Sequence, residues 1–112
     1  MGAPGRPEPS DVLVPPLARR ILDAIDAIPA GRVMTYGDVA EYVQAGSGRV
    51  VGNVLSRYGH EVPWWRVILA SGRPAPGHAT EQLELLVAEG VPVRIGTGQV
   101  DLARARWDGR SR

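Results

Sequence analysis

The segment from Thr35 to Tyr58 constrains the fold of this chain most, because it predicts two short helices joined by a tight turn. Thr35 can cap the first helix through its hydroxyl, and Asp38, three residues later, completes the pattern of a capping box. Apolar residues then recur at helical spacing, at Val39, Ala40 and Val43. The sequence therefore predicts a short amphipathic helix that begins directly after Thr35.

The second predicted helix follows the flexible turn QAGSG, in which Ser47 is a suitable N-cap residue. It runs from about residue 49 to residue 58, and its apolar face is formed by Val51, Val54 and Leu55. The polar residues left for its other sides are Arg49, Asn53 and Arg57. Gly52 gives this helix a place where another backbone could approach closely. Two short helices around a glycine-bearing turn form a helix-turn-helix pattern.

The remaining predicted elements are also short. A first helix spans about Val12 to Ile28 and carries the double proline at 15–16 in its first turn. Short extended runs are predicted at 32–34 and 67–69, a helix at 81–89 between a Thr80 cap and Gly90, and a hairpin from 91–95 and 99–102. The predicted fold is therefore mainly α with small β elements.

Length and composition favour one small globular domain. The 112 residues include 44% hydrophobic and 22% charged residues, which is ordinary for such a domain. We expect a disordered leader at 1–11, the domain at 12–103 and a tail at 104–112. No apolar run approaches the roughly 20 residues of a membrane span, and the N-terminus has no apolar signal region. The expected location is the cytoplasm, in association with the nucleoid.

The charges are unevenly distributed although the net charge is only +1. All 13 cationic residues are arginines. Residues 47–77 carry Arg49, Arg57, Arg66 and Arg73 against Glu61 as their one acidic residue. This middle third is the best candidate for an anion-binding surface, although a solvated face would look the same. Neither histidine has metal-ligand spacing and the chain has no cysteine, so we expect no metal and no cofactor.

The hexapeptide VPWWRV, residues 62–67, places Trp64 and Trp65 side by side. Adjacent residues of an extended segment point to opposite faces, so at most one of these rings can easily join a core. The other ring needs a different explanation.

Four blocks of the sequence together resemble the DNA-binding domain of the O6-alkylguanine-DNA alkyltransferases. They are IPAGRVMTYGDVAEYV, GRVVGNVLSR, VPWWRVILASGR and LLVAEGV, in the family's order, and the resemblance runs from about Val12 to Val93. The family's signature is an IPxGxVxTYG segment, an RAVG recognition helix and a PCHRV active site. The resemblance implies a winged-helix-like, helix-turn-helix DNA-binding domain.

The family's chemistry is missing from the matching positions. Trp64 stands where the family has its nucleophilic cysteine, Trp65 where it has the activating histidine, and Glu89 matches the family's glutamate. Displacement at an alkyl carbon needs a strong nucleophile such as a thiolate, and an indole is not one. We therefore predict that the chain is not an enzyme. With a tryptophan at the cysteine position, the chain resembles the alkyltransferase-like proteins, which bind O6-alkylguanine in DNA without removing the alkyl group. Many of those proteins keep the histidine in a PWHR sequence, so PWWR departs from their pattern.

The resemblance also implies which residues contact DNA. Tyr36 matches the tyrosine that presses on the 3′ phosphate, and Arg49 matches the arginine finger that fills the vacated place in the base stack. Gly52 and Asn53 lie on the implied recognition helix, where the family's backbone approaches the minor groove. The implied pocket for the flipped base is formed by Tyr36, Pro63, Trp64, Arg66, Arg73 and His78.

Supporting roles are implied for the neighbours of this pocket. Arg66 would hold the PWWR turn by hydrogen bonds, and Trp65 would pack, with its N–H bonded to a backbone carbonyl. Glu89 would be structural because its catalytic partners are missing. The loop after Gly72 is shorter than the family's, and Arg73 and His78 are its only long polar groups.

The leading hypothesis is a monomeric sensor that binds double-stranded DNA containing O6-alkylguanine and flags the lesion for nucleotide excision repair proteins. One alternative is a helix-turn-helix transcription regulator that reads undamaged DNA, usually as a dimer with its recognition helix in the major groove. Another is a repair enzyme that uses a different nucleophile.

Overall fold

The computed structural model describes residues 14–94 and 96–110. The predicted leader at 1–11 lies outside these residues. The helices are α1 (Pro16–Asp26), α2 (Tyr36–Val43), α3 (Gly48–Tyr58), α4 (Ala79–Ala88) and α5 (Leu102–Ala105). The strands are β1 (Met34–Thr35), β2 (Val67–Ile68), β3 (Val93–Arg94) and β4 (Gln99–Val100). The prediction of a mainly helical fold with small β elements is confirmed.

Helices α1, α2 and α3 pack around the larger of two apolar cores. The helical spacing of the apolar residues in α1 buries Ile21 and Ile25 completely, and Pro16 occupies the first turn as expected. The helix ends at Asp26, two residues before the predicted end at Ile28. In the described part of the chain, no helix is long and apolar enough to cross a membrane.

The predicted helix-turn-helix segment is confirmed together with its caps. The hydroxyl of Thr35 accepts from the Asp38 N–H at 3.0 Å, and the Asp38 carboxylate accepts from the Thr35 N–H at 3.0 Å. Gln44, with φ at 58°, ends α2 in the left-handed conformation. Ser47 then accepts from the Val50 N–H at 3.4 Å and begins α3. These local bonds fix the start of both helices.

A small parallel sheet separates the two cores and brings the helix-turn-helix segment next to the PWWR turn. β1 pairs with β2 in the register Met34↔Val67 and Thr35↔Ile68. Met34 and Val67 face the first core, while Ile68 faces a second core that also contains Leu86 of α4. The sequence predicted both extended runs but not their pairing, which joins segments more than thirty residues apart.

The second core is completed by the predicted hairpin. β3 and β4 pair antiparallel in the register Val93↔Val100 and Arg94↔Gln99. The second strand ends at Val100 instead of residue 102, because Leu102 already begins α5. Thr80 is not a cap, which corrects the prediction for α4: the helix begins at Ala79 after His78, whose carbonyl accepts from the Gln82 N–H at 2.9 Å.

Residues 104–110, placed in a tail by the sequence, pack against the domain. The Val33 N–H donates to the Ala105 carbonyl at 3.0 Å, and the Trp107 N–H donates to the Val33 carbonyl at 2.8 Å. Trp107 is buried, and the centroid of its ring lies 5.7 Å from the centroid of the Tyr42 ring. Arg106 donates through Nε to the Asp38 carboxylate at 2.9 Å, so this segment also ties down the capping box of α2.

Candidate nucleic-acid interface

An open cleft of about 840 Å³ lies between α3, the PWWR turn and the start of α4. Its walls include Tyr36, Gly52, Leu55, Trp64, Leu69 and His78. This volume falls within the range of pockets that hold small ligands, which is roughly 300–1,000 Å³. The cleft is therefore large enough for a nucleobase and is bordered by both flat aromatic and small residues.

Pro63 sets the direction of the two adjacent tryptophans. Its φ of −72° and ψ of 70° are those of an inverse γ-turn, which the Trp64 N–H closes by donating to the Val62 carbonyl at 2.7 Å. Residues Trp64–Arg66 then form one turn of 3₁₀ helix, so the segment is not extended as the sequence suggested. The two indole rings diverge, with an interplanar angle of 87° and centroids 5.9 Å apart.

Trp64 is the ring that borders the cleft. It is half-buried, and its centroid lies 5.9 Å from that of the His78 imidazole at an interplanar angle of 61°. Trp64 thus forms one flat wall of the cleft, with His78 at its edge. Such a surface can stack on or meet the edge of a planar group.

Trp65 turns to the other side and packs against the second core. Its Nε1–H donates to the Glu89 carboxylate at 3.0 Å, which corrects the expectation of a backbone carbonyl partner. The Arg66 guanidinium carbon lies 5.5 Å from the centroid of the Trp65 ring. Trp65 is therefore a packing residue with a charged hydrogen-bond partner.

Arg66 and Glu89 form an ion pair behind the PWWR turn. Arg66 donates to the carboxylate through Nη2 at 2.6 Å and Nε at 3.0 Å, and through Nη1 to the Ile28 carbonyl at 2.8 Å. The Gly31 N–H, at a residue whose φ of 87° favours glycine, donates to the same carboxylate at 3.3 Å. The pair therefore ties the turn to the end of α4 and to the loop after α1.

The surroundings of Glu89 keep its carboxyl group ionised. Burial on its own would raise the pKa of Glu89, but the hydrogen bonds from Arg66, Trp65 and Gly31 and the charge of Arg66 bring that pKa below its ordinary value. Both side chains of the Arg66–Glu89 pair are less than a fifth exposed. Glu89 therefore acts as an acceptor that anchors the turn.

The structure brings three of the six predicted pocket residues together at the cleft, namely Tyr36, Trp64 and His78. Arg66 does not line it because Glu89 and Ile28 hold its guanidinium behind the turn. Arg73 does not line it either, because its Nη1 donates to the Thr97 carbonyl in the β3–β4 turn at 3.0 Å. Pro63 shapes the turn beneath Trp64 but is not a wall residue.

Helix α3 presents two neighbouring stripes to this region. Its inner stripe consists of small residues that line the cleft, at Gly48, Gly52 and Ser56. Its outer stripe is exposed and polar, at Arg49, Asn53 and Arg57. Because each stripe repeats every four residues, both run along the helix axis. The small residues of α3 thus form a flat wall of the cleft, and Arg49 and Arg57 lie next to it on the exposed side of the helix.

Tyr36 is at the N-terminus of α2, beside the first residue of α3. A β-carbon at Gly48 would lie 3.4 Å from that of Tyr36, so this glycine allows the two helix starts to pack closely. Burial raises the pKa of the Tyr36 hydroxyl, which therefore stays protonated and can donate a hydrogen bond at neutral pH.

Sequence reasoning missed several cleft residues, of which Gln82 is the most important. Gln82 is only 2% exposed, and its Nε2 donates to the carbonyls of Trp65 at 3.0 Å and Val67 at 2.8 Å. A signal was present, because Gln82 precedes the fully buried Leu86 by four residues and so shares its face of α4. Also missed were the exposed His60 and the loop residues 75–77, which border the same cleft.

Comparison with known proteins agrees with this geometry. Residues 16–91 match the family described as 6-O-methylguanine DNA methyltransferase, DNA binding domain. The chain is 43% identical over 97 residues to the DNA base-flipping protein of Escherichia coli K12, with 80% of this chain and 73% of that protein covered. It is 34% identical over 98 residues to alkyltransferase-like protein 1 of Schizosaccharomyces pombe, covering 79% of this chain and 91% of that protein.

A crystal structure shows the same architecture. It contains Atl1 of S. pombe in complex with damaged DNA containing O6-carboxymethylguanine, and it superposes with a TM-score of 0.70 at 30% identity. The match covers 80% of this chain and 93% of that one. The matched family, the similar proteins and the shared fold together show that this chain belongs to the alkyltransferase-like family, which carries the DNA-binding domain of the 6-O-methylguanine DNA methyltransferases.

Proposed function

We propose that this protein binds double-stranded DNA and recognises O6-alkylguanine by rotating the modified base into the cleft beside Trp64, without removing the alkyl group. The observation that carries the proposal is the position of the cleft. It is walled by Trp64 on one side and by the small stripe of α3 on the other, directly next to the cationic stripe. Two similarities support the proposal: one relative is a DNA base-flipping protein, and another has been crystallised in complex with damaged DNA.

The two stripes of α3 suit the backbone and minor groove of DNA. Arg49 and Arg57 can contact phosphates, which dominate the affinity of proteins for DNA. A β-carbon at Gly52 would meet no protein atom within 4 Å, so packing within the protein does not require glycine there. Because glycine is unfavourable inside a helix, its presence suggests that another molecule approaches α3 at this point.

Base rotation needs one residue that presses on the DNA backbone and another that fills the place that the base leaves in the stack. Tyr36 borders the cleft at the start of α2, with a protonated hydroxyl that can contact a phosphate. Arg49 is exposed, and among the described residues its guanidinium has no hydrogen-bond partner, so it is free to enter the base stack. Extruding a base costs a few kcal/mol, and least for a damaged base, which gives the first selection for the lesion.

The absence of a cysteine nucleophile determines the fate of the alkyl group after the base has been bound. The chain has no cysteine, and the residue at the family's nucleophile position is Trp64. The alkyl group therefore stays on the DNA, and another system has to remove it. We propose that nucleotide excision repair proteins take over the lesion from a monomer of this protein.

The central prediction is tighter binding to a duplex with one O6-methylguanine than to the same duplex with guanine. We expect a preference of about tenfold or more, since stacking of the flipped base adds to the phosphate contacts shared by both duplexes. Fluorescence anisotropy at one fixed salt concentration measures both affinities. Tyr36→Phe and Arg49→Ala should reduce the preference, whereas Arg19→Ala, an exposed arginine of α1, should not.

Three outcomes would contradict this proposal. Equal affinity for the two duplexes would rule out lesion recognition. Preferential binding to one sequence of undamaged DNA would favour a transcription regulator. Mass spectrometry after incubation with the alkylated duplex should show an unchanged protein mass. A gain of one alkyl group would instead show a repair enzyme with another nucleophile.

Gly52→Ala should separate folding from DNA binding. We expect the free energy of unfolding to rise by about 1 kcal/mol, because alanine favours a helix and its methyl group meets open space. Affinity for the lesion duplex should fall roughly tenfold, because the methyl group obstructs close approach. Thermal unfolding and anisotropy measure the two effects, with Glu84→Ala on the exposed side of α4 as control. Unchanged affinity would show that DNA does not approach this stripe.

A further inference from the structure

Gln82 is the one buried polar side chain of the cleft whose hydrogen bonding is incomplete among the described residues. Its Nε2 uses both hydrogens, on the carbonyls of Trp65 and Val67. Both partners are acceptors, so the orientation of the amide is fixed by the bonds and cannot be reversed. The remaining polar atom, Oε1, accepts no hydrogen bond from any described residue.

The free oxygen of Gln82 is accessible from the cleft. In the described part of the chain, no side-chain nitrogen or oxygen that is sealed from solvent lacks a hydrogen-bond partner. Since Gln82 itself is 98% buried and lines the cleft, its exposed remainder faces that space. The cleft wall therefore carries a fixed acceptor, held in place by the turn that carries Trp64 and by β2.

A fixed acceptor selects a donor, and O6-alkylguanine offers one kind. Alkylation at O6 fixes the base in a form in which N1 carries no hydrogen, so N1, N3 and N7 are all acceptors. The amine on C2 is then the only N–H donor of the base. We infer that Gln82 Oε1 accepts a hydrogen bond from this amine and so identifies the flipped base as a guanine derivative.

This inference deepens the proposed function and rests on it. Trp64 offers a flat surface that any purine can contact, because stacking tolerates all bases. The acceptor of Gln82 adds a requirement for the amine, since a purine without it leaves a buried oxygen unpaired. Gln82 is thus a specificity residue for the base.

The test is a double-mutant cycle between protein and DNA. The two duplexes differ only in one base, O6-methylguanine or 6-methoxypurine, which lacks the amine. The protein variants are wild type and Gln82→Lys, whose ammonium can still donate to the two carbonyls but offers no acceptor. The preference of the wild type for O6-methylguanine should fall about fivefold in the variant, as expected for one lost hydrogen bond.

The cycle separates recognition from structure. The cost of opening the two duplexes differs, but it is the same for both proteins and cancels in the comparison. A purely structural Gln82 would lower both affinities equally and leave the preference unchanged, and that result would overturn the inference. Gln82→Met, which is uncharged and of similar size, replaces the lysine variant if that one does not fold.

A matched control is available on the β3–β4 hairpin. Gln99 of β4 donates through Nε2 to the Ser71 carbonyl at 2.9 Å and does not line the cleft. Gln99→Lys adds the same charge and should keep the wild-type preference. If the wild type does not distinguish O6-methylguanine from guanine, the proposed function fails. If it does and the cycle shows no coupling, only the role of Gln82 fails.

Discussion

Arg66→Ala should lower the free energy of unfolding by about 3 kcal/mol, because it leaves the largely buried Glu89 carboxylate without its charged partner. It also removes the donor of the Ile28 carbonyl. Chemical denaturation at neutral pH measures the loss. Arg66→Lys should lose less, since a lysine keeps the charge but cannot make the same forked contact. Arg19→Ala, an exposed arginine, is the matched control and should change little.

The pH dependence provides a second check on this ion pair. The folded-state pKa of Glu89 lies below its ordinary value of 4.5, so its stabilising contribution is present above pH 4.5 and is lost as the pH falls through the lower folded value. The difference between wild type and Arg66→Ala should therefore narrow below pH 4.5. A difference that does not narrow as the pH falls below 4.5 would show that the ion pair is not its source.

Trp64→Ala should weaken binding to the O6-methylguanine duplex by about thirtyfold, which corresponds to roughly 2 kcal/mol of lost stacking. Binding to the unmodified duplex should change much less, because Trp64 lies inside the cleft and not on the cationic stripe of α3. Anisotropy titrations with the two duplexes measure both values.

Two variants sharpen the test of Trp64. Trp64→Phe keeps a flat ring of smaller area and should retain part of the lesion preference. Trp65→Phe removes the N–H that Glu89 accepts, but leaves the cleft wall in place, so it should affect stability more than lesion preference. If Trp64→Ala and Trp64→Phe both bind the lesion duplex with wild-type affinity, the flipped base does not contact this ring.

The position of Trp64 and Trp65 shows how sequence and structure divide the information. The sequence placed both at the family's cysteine and histidine positions and predicted that one would stay out of the core. It also assigned Trp64 to the pocket and Trp65 to packing, which agrees with their places at the cleft and against the second core. It did not predict the backbone that turns the rings apart, which is the γ-turn at Pro63 and the 3₁₀ turn that follows. The extended geometry assumed from the sequence was wrong, although the divergence of the rings was correct.

The assigned DNA-contacting residues remain predictions. Tyr36 and Gly52 lie at the cleft, and Arg49 and Asn53 lie on the neighbouring stripe, which is compatible with their expected roles. Arg73 illustrates the limit of matching residues by position. Its place in a shortened loop suggested a pocket role, but the hairpin turn offers its guanidinium a carbonyl.

The sequence by itself determined the four longer helices, the capping box at Thr35, the helix-turn-helix segment and the absence of a thiol nucleophile. These features depend on side-chain spacing, on hydrogen bonds between residues three or four apart, and on residue chemistry. Only the tertiary structure decided the parallel pairing of β1 with β2, the Arg66–Glu89 pair and the two bonds of Gln82. Each of these joins residues at least 15 positions apart, so they form only when the packing of the helices brings distant segments together.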